Sequence, residues 1–122
     1  PSAEEWEKAA RGTDGRNLPA GPWNPDRDGR KYNGGNDYPE FHNDGFEGVA
    51  PVSSMPEGAS PYGCHHLSGN VWEWLAEPGQ CRGGGFKRGL LQLSLDCRDA
   101  ETKPGPLFRS FQHGFRCVKD EK

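Results

Sequence analysis

Four cysteines and four histidines are the side chains best suited to covalent or metal chemistry in this 122-residue chain, and their spacing restricts that chemistry. Cys64, Cys81, Cys97 and Cys117 contain no Cys-x-x-Cys pair, so neither a thiolate zinc site nor a thioredoxin-like couple is expected. They allow three complete disulfide pairings, and structural disulfides and buried thiols both stay open. A secreted setting would favour the disulfides. His42, His65, His66 and His113 form no recognisable metal motif, and no three-histidine iron set can be assembled from them.

The elements that must position these residues are short. Ser2-Ala3-Glu4-Glu5 has the form of a capping box, with Trp6, Ala9 and Ala10 following at helical spacing and Gly12 placed to end the helix in a left-handed conformation. Trp6 shares a face with the two alanines and reads as a core anchor. From Thr13 to Asn43 the chain is rich in Gly, Pro, Asp and Asn, with turn signals at Asp14-Gly15, Asp28-Gly29 and Asn33-Gly34. Trp23, Tyr32, Tyr38 and Phe41 interrupt that stretch and argue against disorder. Short strands are expected around Val71 to Leu75, Arg82 to Lys87, Leu90 to Arg98 and Gly114 to Val118, with Leu91, Leu93 and Leu95 on one face of the third.

Composition sets further bounds. Only 31% of residues are hydrophobic, while glycine contributes 18 and proline 11. A single domain of this size buries roughly two thirds of its unfolded surface, so long loops need support beyond hydrophobic area. The formal charge of -3 comes without a block of like charge, which gives no nucleic-acid footprint. No apolar run approaches the roughly 20 residues needed to cross a bilayer, so membrane insertion is not expected.

Several stretches together resemble one family. Pro1 to Arg11 is similar to the "LPTEAEWEKAAR" helix of the formylglycine-generating, sulfatase-modifying domains. Asn43-Asp44-Gly45-Phe46 through Pro51-Val52 resembles their "DGF...APV" loop, and Tyr62-Gly63 with Leu67 to Trp74 resembles "YGLYDMSGNVWEW". Arg82 to Phe86 and Gly114 to Cys117 look like "RGGSW" and "GFRC". The resemblance implies an α+β, C-type-lectin-like fold, loop-rich with short antiparallel strands. It also implies that residues 1–122 form the C-terminal portion of one domain, completed by an upstream half-domain or a second chain.

In the oxidases of the resembled family a cysteine pair between the "RGGS" and "RCAAR" strands carries copper-dependent oxygen chemistry, because thiolates are soft ligands that select Cu(I). Here Phe86 to Asp96 contains no cysteine, and Cys97 and Cys117 match structural positions. Copper chemistry is therefore not expected of this chain. The resemblance also implies calcium, a hard cation that takes oxygen ligands. A first site falls on Asn33, the Gly34 carbonyl, Asp44 and the Phe46 carbonyl. A weaker second site retains Asn70 and Glu73, with His66 in the place of an oxygen ligand. Asp26 and Asp28 before Gly29 resemble the start of an EF-hand loop, but Arg30 occupies an early ligand position and that motif is rejected.

What remains is a surface. On the resembled scaffold the chain between "RGG" and "GFR" displays ligand-contacting side chains, which points to Phe86, Arg88, Gln92, Phe108, Arg109 and His113, with Trp72 beside them. Aromatic and arginine side chains are frequent binding hot spots. The expected function is a non-catalytic module binding a protein or small-molecule ligand, with the alternative of a subunit or fragment of a metal-dependent oxidoreductase. Carbohydrate binding does not follow from a lectin-like frame, since fold does not fix function.

Overall fold

The computed structural model describes residues 1–97 and 110–120. Helix α1 (Ala3–Arg11) begins at the expected capping box: the Glu5 amide donates to Ser2 Oγ at 3.2 Å and the Ser2 amide donates to Glu5 Oε1 at 2.9 Å. Acidic Glu4 and Glu5 in the first turn and basic Lys8 and Arg11 in the last complement the helix dipole. The buried face carries Trp6 and Ala10. Gly12 does stop the helix at positive φ (70°), but its ψ of -136° lies outside the left-handed helical region that the sequence suggests.

The sheet is small. Strands β1 (Trp72–Trp74), β2 (Cys81–Arg82) and β3 (His113–Gly114) lie in the order β2-β1-β3. β1 pairs with β2 antiparallel, Glu73 opposite Arg82. It pairs with β3 in parallel, Glu73 opposite Gly114, so the expectation of antiparallel strands holds for one pairing only. The strand expected over Leu90 to Arg98 is not formed: Leu90–Leu93 is a one-turn helix, α2, entered from Gly89, and Arg98 lies outside the described residues. Leu91 is 79% exposed, whereas Leu93 and Leu95 are fully buried. The alternation misleads because these leucines serve different cores.

One core joins Trp6, Ala10, Leu67, Leu75 and Leu95 beneath α1. The other joins Leu18, Tyr32, Phe41 and Leu93, with Trp23 and Leu90 packed against it. The second core gives the long Gly- and Pro-rich segment its order: Trp23 lies 5.6 Å from the Phe41 ring, edge-on, and 6.4 Å from Tyr32. The Ser68 hydroxyl donates to the Leu93 carbonyl at 2.6 Å and the Leu95 amide donates to the Asn17 carbonyl at 2.8 Å, fixing the strip between the cores.

Backbone bonds stitch Ser68-Gly69-Asn70 between two other segments. The Asn70 amide donates to the Asn33 carbonyl (2.8 Å), the Gly69 amide to the Gly83 carbonyl (2.7 Å) and the Phe86 amide to the Asn70 carbonyl (2.8 Å). Gly69 has φ 82°, and a Cβ there would stand 2.6 Å from the Asn33 carbonyl oxygen. Gly63 has a similar φ of 81° with nothing within 4 Å. Gly63→Ala should therefore cost only the backbone strain, about 1 kcal/mol, while Gly69→Ala should cost roughly 2–4 kcal/mol through the added clash. Urea unfolding of the two variants reads the difference, and equal costs would contradict the close approach.

Candidate functional site

After β2 the chain turns through Gly83 (φ 103°) and Gly84 (φ 69°), pressed against the Leu67 and Gln92 carbonyls, where a side chain would collide. This turn presents Phe86, Lys87 and Arg88 to the loop that begins at Asn33. The Gly35 amide donates to the Arg88 carbonyl at 2.8 Å, and the Tyr38 ring packs over both Gly35 and Gly89. Between the two segments lies a groove of about 630 Å³ whose lining includes Asn36, Asp37, Glu47, Lys87, Arg88 and Gln112. Phe86 forms its apolar floor, only 5% exposed, with its ring 6.0 Å from Phe111. The Lys87 ammonium sits 5.0 Å from the Phe111 centroid, within cation–π range. The groove thus places two acidic side chains opposite two basic ones above an aromatic surface.

The binding candidates separate. Phe86 and Arg88 meet in the groove. Trp72 is buried, its indole against Gly85, and supports the floor from below. Gln92 is half-buried in α2, and His113 is half-buried in β3 with its ring 5.3 Å from Trp74; neither lines the groove. Phe108 and Arg109 lie outside the described residues. Sequence reasoning missed Asn36, Asp37 and Glu47, which belong to loops without a motif. The Asn33-Gly34 turn signal was their nearest trace.

Of the proposed first calcium ligands, Gly34 and Phe46 meet the buried Asp44 carboxylate through their amides. Asp44 is 2% exposed; its Oδ2 accepts from the Gly34 amide (3.0 Å) and its Oδ1 from the Phe46 amide (2.9 Å). Loss of solvation raises its pKa above the ordinary 3.8, outweighing those amides and the charge of Arg30. Asn33 is fully buried, with Nδ2 donating to the Gly48 carbonyl (2.7 Å) and to Asn70 Oδ1 (3.1 Å), while Oδ1 has no hydrogen-bond partner among the described residues. An all-oxygen donor set with an unpartnered buried amide oxygen fits a hard cation.

The second set does not fit one. Glu73 accepts from Trp6 Nε1 at 2.8 Å and from Arg116 Nε and a terminal guanidinium nitrogen at 2.7 and 2.6 Å, so a guanidinium already balances the carboxylate. Asn70 Oδ1 accepts from the Ala50 amide (2.8 Å) and its Nδ2 donates to the Ala50 carbonyl (3.2 Å), which makes it a latch for that loop. His66, at φ 56°, holds its Nε2 3.0 Å from the Pro51 carbonyl and 3.2 Å from Ser54 Oγ. Asp28, rejected as an EF-hand ligand, is buried against Lys31 and Arg27 and accepts from the Asn24 amide. Among the described residues no three His, Cys, Asp or Glu side chains gather. Of the four cysteines Cys81 is buried, Cys64 and Cys97 are half-buried and Cys117 is exposed.

Comparison with known proteins supplies the context. The family profile described as "Sulfatase-modifying factor enzyme 1-like domain" matches residues 1–121. The chain is 42% identical over 80 residues to the "Inactive C-alpha-formylglycine-generating enzyme 2" of Bos taurus, covering 62% of this chain and 25% of that protein. It is 36% identical over 84 residues to the "Formylglycine-generating enzyme" of Thermomonospora curvata, covering 63% and 26% respectively. A shorter match, 52% over 29 residues, covers 24% of this chain and 7% of the "Hercynine oxygenase" of Mycolicibacterium smegmatis. Among solved structures, PvdO from Pseudomonas aeruginosa superposes with a TM-score of 0.75 at 22% identity, over 93% of this chain and 49% of that one, a likeness of fold. The chain spans about a quarter of the length of the first two relatives.

His66 yields a test of this frame. Burial holds its pKa below the ordinary 6.5, because the charged ring would lose its hydration. A depressed histidine stabilises the fold above the unfolded pKa, and that contribution is lost as pH falls through the folded value. Unfolding of the native chain should therefore become easier below about pH 6.5 relative to His66→Asn, which tolerates the positive φ and does not titrate. Parallel stability curves for the two proteins would refute this.

Proposed function

The chain belongs to the sulfatase-modifying factor enzyme family, and on that premise we propose that it is a non-catalytic module that binds a ligand in the groove between Asn36-Asp37 and Phe86-Arg88. The observation that carries this reading is the stretch Phe86 to Asp96, which contains no cysteine and instead supplies Phe86, Lys87 and Arg88 to a groove of mixed charge. A ligand bearing both charge signs beside an apolar group, such as a peptide, suits Asp37 and Glu47 on one side and Lys87 and Arg88 on the other. The relative from Bos taurus, named as an inactive formylglycine-generating enzyme, is in keeping with a family frame that persists without its chemistry.

Calcium at Asn33, Gly34, Asp44 and Phe46 belongs to this reading as a structural ion. It would bring positive charge to a buried carboxylate and hold the loop that forms one wall of the groove. Its pH dependence follows from Asp44. A carboxyl whose folded pKa is raised favours the folded state at low pH, and this is lost as pH rises through that pKa. Calcium binds the ionised form and so acts above it.

A second reading, an oxidoreductase whose remaining residues lie in other sequence, draws on the 36% identity to a formylglycine-generating enzyme and the short match to a hercynine oxygenase. Oxygen consumption by the native full-length protein, supplied with copper or iron and a cysteine-containing peptide, separates the two. Metal-dependent turnover would replace the binding-module reading.

Two further outcomes are expected. Peptides selected from a random display library on the native protein should bind the Lys87→Glu, Arg88→Glu double variant at least about tenfold more weakly; undiminished binding would place recognition elsewhere. Calcium about 100-fold above its Kd should stabilise the protein by about 2.7 kcal/mol at neutral pH, less in acid, and not at all in Asp44→Asn. Thermal unfolding without a calcium response would dismiss the site.

A further inference from the structure

A second concavity, on the side of α2 away from any assigned role, has a different chemistry. It encloses about 730 Å³, within the range of small-molecule sites. Leu18, Pro22, Trp23, Leu90 and Leu91 supply apolar wall. Trp23 is half-buried and is backed by Tyr32 and Phe41, so its indole is held in place without being covered. Leu91 is 79% exposed, which the burial of a hydrophobic core does not account for.

Two charged residues border this pocket, Arg16 and Glu40. Arg16 is already neutralised: its guanidinium donates to both Asp14 carboxylate oxygens at 2.9 and 2.7 Å and to the Pro19 carbonyl at 2.9 Å. Glu40 is different. Its Oε2 is buried and has no hydrogen-bond partner among the described residues. Glu40 also borders a smaller hollow of about 350 Å³ with Arg27 and Arg30, but Arg27 is 3.2 Å from Asp28 and Arg30 stands against Asp44 and Gly45. An apolar pocket with an indole in its wall and Glu40 at its edge, a half-buried carboxylate with one oxygen lacking a hydrogen-bond partner among the described residues, is complementary to one kind of molecule.

We infer that this pocket binds a small organic cation, an ammonium group carried on an apolar body, with Glu40 accepting its charge and Trp23 stacking on or facing it. Carboxylates give ammonium ions charge-assisted hydrogen bonds, and tryptophan is the best aromatic partner for a cation. The apolar body would cover Leu90 and Leu91. This site is separate from the groove at Phe86 to Arg88 and stands or falls independently of it.

The test uses one apolar body with three charges: benzylammonium, benzyl alcohol and benzoate, titrated calorimetrically into the native full-length protein. Benzylammonium should bind, the alcohol about tenfold more weakly, and benzoate weakest. Glu40→Gln should bring the ammonium down to the alcohol's affinity while leaving the alcohol unchanged. Because Leu91 is exposed, Leu91→Lys keeps the fold and should weaken the ammonium by a similar factor through repulsion. Lys87→Glu with Arg88→Glu should leave all three affinities as they are, which distinguishes this pocket from the groove. The inference is overturned if the ammonium fails to bind at about 10 mM, if ammonium and alcohol bind alike, if benzoate binds best, or if either pocket variant leaves ammonium binding unchanged.

Discussion

Glu73 sits in the middle strand, 4% exposed, and three donors converge on its carboxylate from two distant parts of the chain. Trp6 reaches it from α1 and Arg116 from the segment after β3, while Arg116 also donates to the His65 carbonyl at 2.8 Å. A buried carboxylate stripped of its partner costs about 3–5 kcal/mol, so helix, central strand and terminal segment are bound to one arrangement. Strands of two or three residues could not by themselves fix their relation to α1. The paired charge does so, and it explains how a chain with a modest hydrophobic fraction keeps a defined frame.

Around that anchor the framework relies on side chains that bond backbone. Asn70 latches Ala50, Asn33 donates to Gly48, Asp44 gathers the Gly34 and Phe46 amides, and Glu77 accepts from the Ala3 amide. Such bonds order long loops without demanding apolar surface, since each satisfies a backbone group that would otherwise be stranded from water. The side chains that face the groove are under no comparable restriction. Lys87, Asp37 and Glu47 are exposed and have no part in the cores. Their identities can therefore change without disturbing either core.

The sequence discloses features whose causes are local. Ser2 and Glu5 mark the start of α1 because capping needs only residues three apart. The Trp72–Trp74 strand is legible as a motif and as an extended segment. Leu91, Leu93 and Leu95 mislead because alternation records where apolar residues fall and is silent on whether they enter the same core. Of the candidate site, Phe86 and Arg88 are visible through their position after the paired glycines. Asp37 and Glu47 are not, since their place in the groove depends on the Gly35 to Arg88 bond, a contact across more than fifty residues of chain. Glu73 is visible only as part of a motif. Its partner Arg116 has no local signature linking the two.

That last pairing has a kinetic meaning. Trp6 is separated from Glu73 by 67 residues, and Arg116 lies 43 residues beyond Glu73. Chains dominated by such long-range closures fold slowly, because the entropy of the loop is lost before the contact forms. During synthesis α1 and β1 can meet well before Arg116 has left the ribosome, and until then the Glu73 carboxylate would be enclosed beside Trp6 without its countercharge. Glu73 gains its countercharge only once Arg116 has emerged, so closure of this arrangement waits on the segment after β3 and not on α1.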